Sequence, residues 1–267
     1  MDLDPGARSV EVLFAPTRGD AEDFYGAVGD LDALMHADAA VPYMFVVKAD
    51  ALRDAEHHDK AISEYTKAME LDANVPEAYV GRGMSLMAQE AYDSAQQDLV
   101  HALELDSASA QTYVRLATLL TLKGDYKSAL AACQKAVKLD PKSSDAYLRA
   151  GNIHYFQKEY QKALDDYLLA VKNDPTSPAA SNGAGLGYFA LRKYSDALEY
   201  FSRAIAMNPD ADRFYRNRAS TYANMKAFQN AATDYKNASL LNTDPALVEE
   251  YKKLIDDAEQ QSATGKS

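Results

Sequence analysis

An all-α solenoid of stacked antiparallel helix pairs is the fold the sequence predicts, and three observations predict it. Alanine recurs at a step of 34 residues in two columns: Ala61, Ala95, Ala129, Ala163, Ala197 and Ala231, then Ala68, Ala102, Ala136, Ala170, Ala204 and Ala238. Three further columns keep one character at the same step. Phe45, Tyr79, Tyr113, Tyr147 and Tyr215 are aromatic with Ser181 among them; His58, Tyr92, Tyr126, Tyr160, Tyr194 and Phe228 all carry rings; Ala49, Gly83, Ala117, Gly151, Gly185 and Ala219 are all small. Finally, the apolar spacing between breaks is helical, and the breaks fall at two fixed places in each unit. A period of this length marks a repeat architecture, in which one unit buries its apolar face only by stacking on the next.

Residues 110–143 illustrate the unit. The first helix reads QTYVRLATLLTLKG, with Tyr113, Leu116, Ala117 and Leu120 on one face, and Gly124-Asp125 turns the chain. The second reads YKSALAACQKAVKLD, with Ala129, Cys133 and Ala136 on its face, and Asp140-Pro141 stops it because proline cannot continue a helix. Alanine and glycine at facing positions let the helices approach closely, while the tyrosine of the column beginning at Phe45 fills the remaining space. Six units are expected, at 42–75, 76–109, 110–143, 144–177, 178–211 and 212–245.

The end units of a stacked array need covers. Asp20 is the expected N-cap of an acidic helix with Phe24, Leu31 and Leu34 facing the first repeat, so residues 1–41 form an acidic segment and capping helix, loose at its start. Residues 246–262 form a C-terminal capping helix with Leu247, Tyr251, Leu254 and Ala258 on one stripe, and 263–267 a disordered tail.

With 28 Lys plus Arg against 40 Asp plus Glu, the 267-residue chain carries 28 − 40 = −12, which opposes generic binding to nucleic acid or to an anionic membrane. Residues 1–41 hold nine acids against Arg8 and Arg18, a balance of −7. That cap would suit a basic partner, shield the first repeat, or simply keep the chain soluble. Hydrophobic residues at 47% exclude a chain disordered throughout. Cys133, the single cysteine, excludes an intramolecular disulfide and a multi-cysteine metal site. The start MDLDPG has no apolar core to follow it, and no apolar run is long enough to span a bilayer, so a cytoplasmic protein without membrane insertion is expected.

These columns resemble the tetratricopeptide repeat: aromatic at the fourth position of the unit, small at the eighth, aromatic at the seventeenth, alanine at the twentieth and twenty-seventh, proline at the thirty-second. The resemblance covers residues 42–245, with the family's tryptophan never used and proline kept only at 141, 175 and 209. It implies a right-handed superhelix whose inner wall of first helices holds segments of other proteins. Carried onto this chain, the family's wall positions (second, fifth, sixth, ninth, twelfth and thirteenth) have two characters. The first two units offer Tyr43, Val46, Val47, Asp50, Val80, Met84 and Met87, apolar and slightly acidic. The last three offer Arg149, Asn152, Tyr155, Phe156, Asn182, Phe189, Arg213, Arg216, Asn217 and Asn224. Arginine matches a carboxylate bidentately and asparagine pairs with both backbone groups, so this end is expected to grip a peptide, although the same residues would also solvate an inner wall.

The resemblance therefore implies a non-enzymatic scaffold or adaptor, without cofactor or metal, whose partners are other proteins presenting an extended or helical segment. Two narrower readings stay open: a co-chaperone that holds an acidic C-terminal tail, and a non-catalytic regulatory subunit of an enzyme complex. The family's carboxylate clamp maps onto Leu148, Asn152, Gly183, Arg213 and Asn217, one identity and one conservative exchange, with Asn182 and Arg216 each one residue out of place. Neighbouring residues on a helix point about 100° apart, so such offsets are displacements in space.

Other chemistry has no signature. His36, His57, His58, His101 and His154 are scattered without an HExxH; no GxSxG elbow occurs; and Gly265-Lys266-Ser267 ends like a phosphate loop but has Gln260 where the leading glycine belongs. His58 reads as a ring in the packing column, and Cys133 as a buried structural thiol. Only 41 residues precede the array and 22 follow it, so no separate catalytic domain is expected. Gly183, Gly185 and Gly187 share one helix; each extra glycine costs about 1 kcal/mol against alanine, so the fifth unit is expected to be the softest joint, or a place where a ligand backbone comes close. The number of copies in solution is left open.

Overall fold

The computed structural model describes residues 41–264, which form thirteen α-helices: α1 (Pro42–Asp54), α2 (His58–Leu71), α3 (Pro76–Ala88), α4 (Tyr92–Leu105), α5 (Ala110–Leu122), α6 (Tyr126–Leu139), α7 (Ser144–Phe156), α8 (Tyr160–Asn173), α9 (Pro178–Ala190), α10 (Tyr194–Met207), α11 (Asp212–Asn224), α12 (Phe228–Leu241) and α13 (Pro245–Thr264). The cap expected around Asp20, Phe24, Leu31 and Leu34 lies outside the described residues. Every first helix of a pair has 13 residues and every second helix 14, so the period in the sequence is a period in space.

Both turns of the repeat are built identically each time. Each first helix closes in a Schellman motif, the N–H of His57, Ala91, Asp125, Glu159, Lys193 and Ala227 reaching back to the carbonyls of Leu52, Leu86, Leu120, His154, Tyr188 and Tyr222 at 2.8–2.9 Å. This requires a left-handed residue one place earlier, and the six that serve are Glu56, Glu90, Gly124, Lys158, Arg192 and Lys226, with φ between 60° and 78°. Each second helix ends at Asp72, Asp106, Asp140, Asp174, Asn208 or Asn242, whose side-chain oxygen accepts the backbone N–H two residues on, at 2.8–3.1 Å. Pro141 is therefore a companion of the stop: an aspartate or asparagine performs it in all six repeats.

The chain divides between Leu119 and Leu120 into two units. In the first, α1 packs on α2 around Val46, Ala49, Leu52, Ala61, Tyr65, Ala68 and Ala78, and α3 packs on α4 through Val80, Leu86, Ala95 and Leu99. In the second, α7 packs on α8, α9 on α10 and α11 on α12, and α13 closes the series against α12 by burying Tyr251 and Ala258. Helix α13 is longer than the 246–262 expected, and residues 263 and 264 are helical where a disordered tail was expected. Asp244 caps it through the N–H of Ala246, which brings Pro245 inside, and the Thr264 hydroxyl bonds back to the Gln260 carbonyl.

The glycines of α9 are packing positions rather than a soft joint. A Cβ on Gly183 would lie 2.5 Å from the ring of Tyr167, one on Gly185 2.6 Å from that of Phe201, and one on Gly187 3.0 Å from Leu164. What comes close is a side chain of this protein, not the backbone of a ligand. Gly81 does the same for Tyr65, whose ring fills the space a Cβ would take. The rings of Tyr65 and Tyr167, at the twenty-fourth position, are thus admitted by glycine at the sixth position of the next repeat.

Two stability outcomes follow. Gly183→Ala should lower the urea unfolding free energy by about 1–3 kcal/mol, the usual cost of overpacking, and an unchanged midpoint would contradict this placement. Lys158→Gly, which relieves a left-handed non-glycine residue, should raise it by up to about 1 kcal/mol, less the extra chain entropy of glycine.

Candidate functional site

In the second unit the first helices α7, α9 and α11, which carry the ten residues of the candidate wall, lie side by side, α9 touching both others. These ten fall into three groups. The amides stand at the centre. The Tyr167 hydroxyl donates to Asn152 Oδ1 at 2.9 Å, and Asn217 Nδ2 donates to Asn182 Oδ1 at 2.8 Å across two repeats. These bonds consume one side of each amide and aim the other away: among the described residues, Nδ2 of Asn152, Nδ2 of Asn182 and Oδ1 of Asn217 remain unspent.

The aromatics line one edge. Phe156 is 60% exposed and stacks on Tyr126 with centroids 6.3 Å apart; Tyr155 meets Tyr160 at 5.5 Å; Phe189 meets Tyr194 at 5.7 Å. The Tyr194 hydroxyl lies 3.4 Å from Asn224, whose Nδ2 bonds the Ser220 carbonyl, so Asn224 belongs to this edge rather than to the central amides.

The cations are divided. Arg149 is tied to Asp145 at 3.2 Å, with its Nε buried and without a hydrogen-bond partner. Arg213, exposed, has its guanidinium over the Phe214 ring at 4.9 Å, and Arg216 stands one turn on; neither makes a hydrogen bond or ion pair among the described residues. The nearby carboxylate of Asp212 is already held, accepting from Asn242 at 2.7 Å and from the Tyr251 hydroxyl at 2.8 Å. Burial pushes the Asp212 carboxyl up, but these two hydrogen bonds and Arg216 outweigh it and leave it below the usual aspartate range.

The carboxylate-clamp positions hold a different arrangement. Gly183 is buried beneath Tyr167, Asn152 gives its carbonyl to the same tyrosine, and Leu148 packs into the core around Ala163 and Tyr167. In the first unit, Val46 is 3% exposed and belongs to the core, not to the wall, because the fifth position of α1 faces Tyr65 and Ala78.

One polar element was missed by the sequence reading. The tyrosines at the twenty-fourth position push their hydroxyls through to the ninth-position residue of their own repeat: Tyr65 to Asp50 at 2.5 Å, Tyr167 to Asn152 at 2.9 Å, Tyr235 to Ser220 at 3.2 Å. Where the twenty-fourth residue is Leu99, Cys133 or Phe201, the ninth is Met84, Thr118 or Leu186. Comparing these two columns would have revealed the coupling. Cys133 is 1% exposed, and burial pushes its thiol up to about 12, out of reach of nucleophilic chemistry at neutral pH. Among the described residues no group of three His, Cys, Asp or Glu is placed to hold a metal ion, and no helix is long and apolar enough to cross a membrane.

The tetratricopeptide repeat pattern matches residues 46–110, 80–144, 114–178 and 182–245. No curated protein matches the chain. Among solved structures, a chain of the APC/C hetero-tetramer Cut9-Hcn1 superposes with a TM-score of 0.76 at 15% identity over 88% of this chain; this chain spans 45% of that one. A tetratricopeptide repeat protein from Parabacteroides merdae ATCC 43184 gives 0.71 at 16% identity, covering 94% of this chain and 99% of that one. YrrB, described as a TPR protein with an unusual peptide-binding site, gives 0.50 at 25% identity, covering 67% and 93%.

The hold on Asp212 has a pH signature. Its folded-state value is depressed, so the stabilisation is present above the ordinary aspartate value near 4 and is lost as pH falls through the lower folded value. Tyr251→Phe removes one of the two bonds and should shrink the difference between the urea midpoints at pH 7 and pH 3; an undiminished difference would contradict it.

Proposed function

Because the chain belongs to the tetratricopeptide repeat family, we propose that it is a protein-interaction scaffold that carries no chemistry of its own and holds a peptide segment of a partner on the wall formed by α7, α9 and α11. The observation that carries this reading is the set of groups gathered on one face: two guanidiniums without a hydrogen bond or ion pair among the described residues, three half-used amides and the exposed Phe156. Solvation alone gives no reason for a ring that is 60% exposed and stacked on Tyr126 beside these polar groups. The likeness to YrrB, a TPR protein described by its peptide-binding site, supports the same use of the fold.

The co-chaperone reading draws no support from the clamp positions, since Gly183 and Asn152 are occupied by Tyr167. A reducing, cytoplasmic setting accords with a single buried cysteine.

A photo-crosslinking residue in place of Phe156 should capture a partner that the same residue in place of Leu240, 85% exposed on α12, does not. The captured species should disappear when Asn152→Ala, Arg213→Ala and Arg216→Ala are combined in a chain whose circular dichroism is unchanged. Crosslinking from Leu240 alone, or capture indifferent to the triple variant, would move the site elsewhere.

A further inference from the structure

Resting on the binding wall just described, the separation of its two chemistries says what kind of segment fits. Among the described residues, the wall guanidiniums without a hydrogen bond or ion pair stand on α11, at the second and fifth positions of its repeat, whereas the rings stand on α7 and α9, Phe156 exposed at the thirteenth position and Phe189 half-buried at the twelfth. Cations and rings therefore occupy opposite corners of the wall, with the amides on the diagonal between them.

The length of that diagonal follows from helix geometry. Ten residues separate the level of Arg213 from that of Phe189, about 15 Å at 1.5 Å per residue, and adjacent helices lie about 9 Å apart, so the corners are about 18 Å apart. Extended chain covers this in about five or six residues. A helical ligand would need about twelve, and its backbone groups would already be bonded to one another. The unspent Nδ2 of Asn152, Nδ2 of Asn182 and Oδ1 of Asn217 call for free backbone carbonyls and N–H groups, which only an extended ligand presents.

Charge decides the other feature. Of the carboxylates close to the cationic corner, Asp212 is engaged by Asn242 and Tyr251, and it is one charge against two guanidiniums. The corner is thus complementary to an acidic side chain. A terminal carboxylate has no additional cradle here, because Gly183 lies under the Tyr167 ring and Leu148 packs into the core.

We propose that this wall recognises an internal, extended segment of a partner protein in which an acidic side chain, bound by Arg213 and Arg216, and an aromatic side chain, bound between Phe156 and Phe189, stand about five or six residues apart.

The test uses the full chain and fluorescein-labelled, N-acetylated, C-amidated peptides of Ala and Ser that carry one Glu and one Phe separated by two, four, six or ten positions, read by fluorescence anisotropy. The six-residue spacing should bind at least about tenfold more tightly than the two-residue spacing, the scale of one lost charge-assisted hydrogen bond. Exchanging Glu for Gln should weaken binding to the wild type but not to the Arg213→Ala, Arg216→Ala double variant. Exchanging Phe for Ala should likewise be silent in Phe189→Ala. Affinity that is flat with spacing, or stronger for a peptide ending in a free carboxylate, overturns the proposal. Should no peptide bind while the crosslink from Phe156 still forms, the spacing and chemistry assigned here are wrong and the wall remains the site; should both fail, the wall itself is misassigned.

Discussion

The distance at which the helices meet is set by the two alanine columns, and everything else in the repeat is arranged around it. All twelve alanines, from Ala61 to Ala238, are 0% or 1% exposed. A larger side chain at any of them would have to displace a neighbouring backbone, at about 1–3 kcal/mol each. Contact this close leaves gaps on either side of the seam, and those gaps are filled by large rings such as Tyr65, Tyr167 and Phe201, each fully buried and each contributing roughly 1.5–3 kcal/mol. The rings in turn require glycine where they meet a first helix: Gly81 and Gly183 on the next repeat for Tyr65 and Tyr167, and Gly185 on its own repeat for Phe201. Small residues and large ones are thus consequences of a single spacing.

Polar side chains tie the helices where apolar packing runs out. Arg82 binds both oxygens of Asp98 at 2.8 Å and reaches Thr66 of the preceding repeat at 3.2 Å; Arg218 repeats this with Asp234 and Ser202 at 2.7–3.0 Å, four repeats later. Lys48 and Glu64, 3.5 Å apart, occupy the same two columns in the first repeat. The aspartates are almost buried, and a buried carboxylate is tolerated only because the planar guanidinium satisfies both of its oxygens. The wall residues contrast with these: Arg213 and Arg216 have the same chemistry as Arg82 and Arg218 but no acid at the matching place.

The fold was legible in the sequence because its determinants are identities repeated at one step. Alanine columns, ring columns and the break at Gly124-Asp125 place every helix pair of the array. Determinants that work through exchange rather than identity were harder to read. The turn residue is glycine only at Gly124 and is Glu56, Glu90, Lys158, Arg192 or Lys226 elsewhere, because the Schellman hydrogen bonds impose the left-handed conformation without any side-chain requirement. Gly183 and Gly187 looked like weaknesses because their reason lies in Tyr167 and Leu164, on another helix. The candidate wall was legible in part: position in the repeat puts Asn182 and Asn217 among its residues but does not show that they bond each other, and it placed Val46 on a surface when its side chain is core.

The tyrosines at the twenty-fourth position give the wall and the core a shared component. Tyr167 is 1% exposed and yet ends on Asn152, an amide of the proposed wall. A change at Asn152 that suited a new ligand would strand a buried hydroxyl, and a change of Tyr167 to an apolar residue would leave Asn152 misaimed and a void beside Gly183. The three residues form one heritable unit spread over two repeats, and the natural alternatives already present in this chain, such as Leu99 with Met84, exchange the whole set. Specificity in such an array diversifies most readily by duplicating or transplanting intact neighbouring repeats, since single substitutions at the wall would first have to survive the damage they do beneath it.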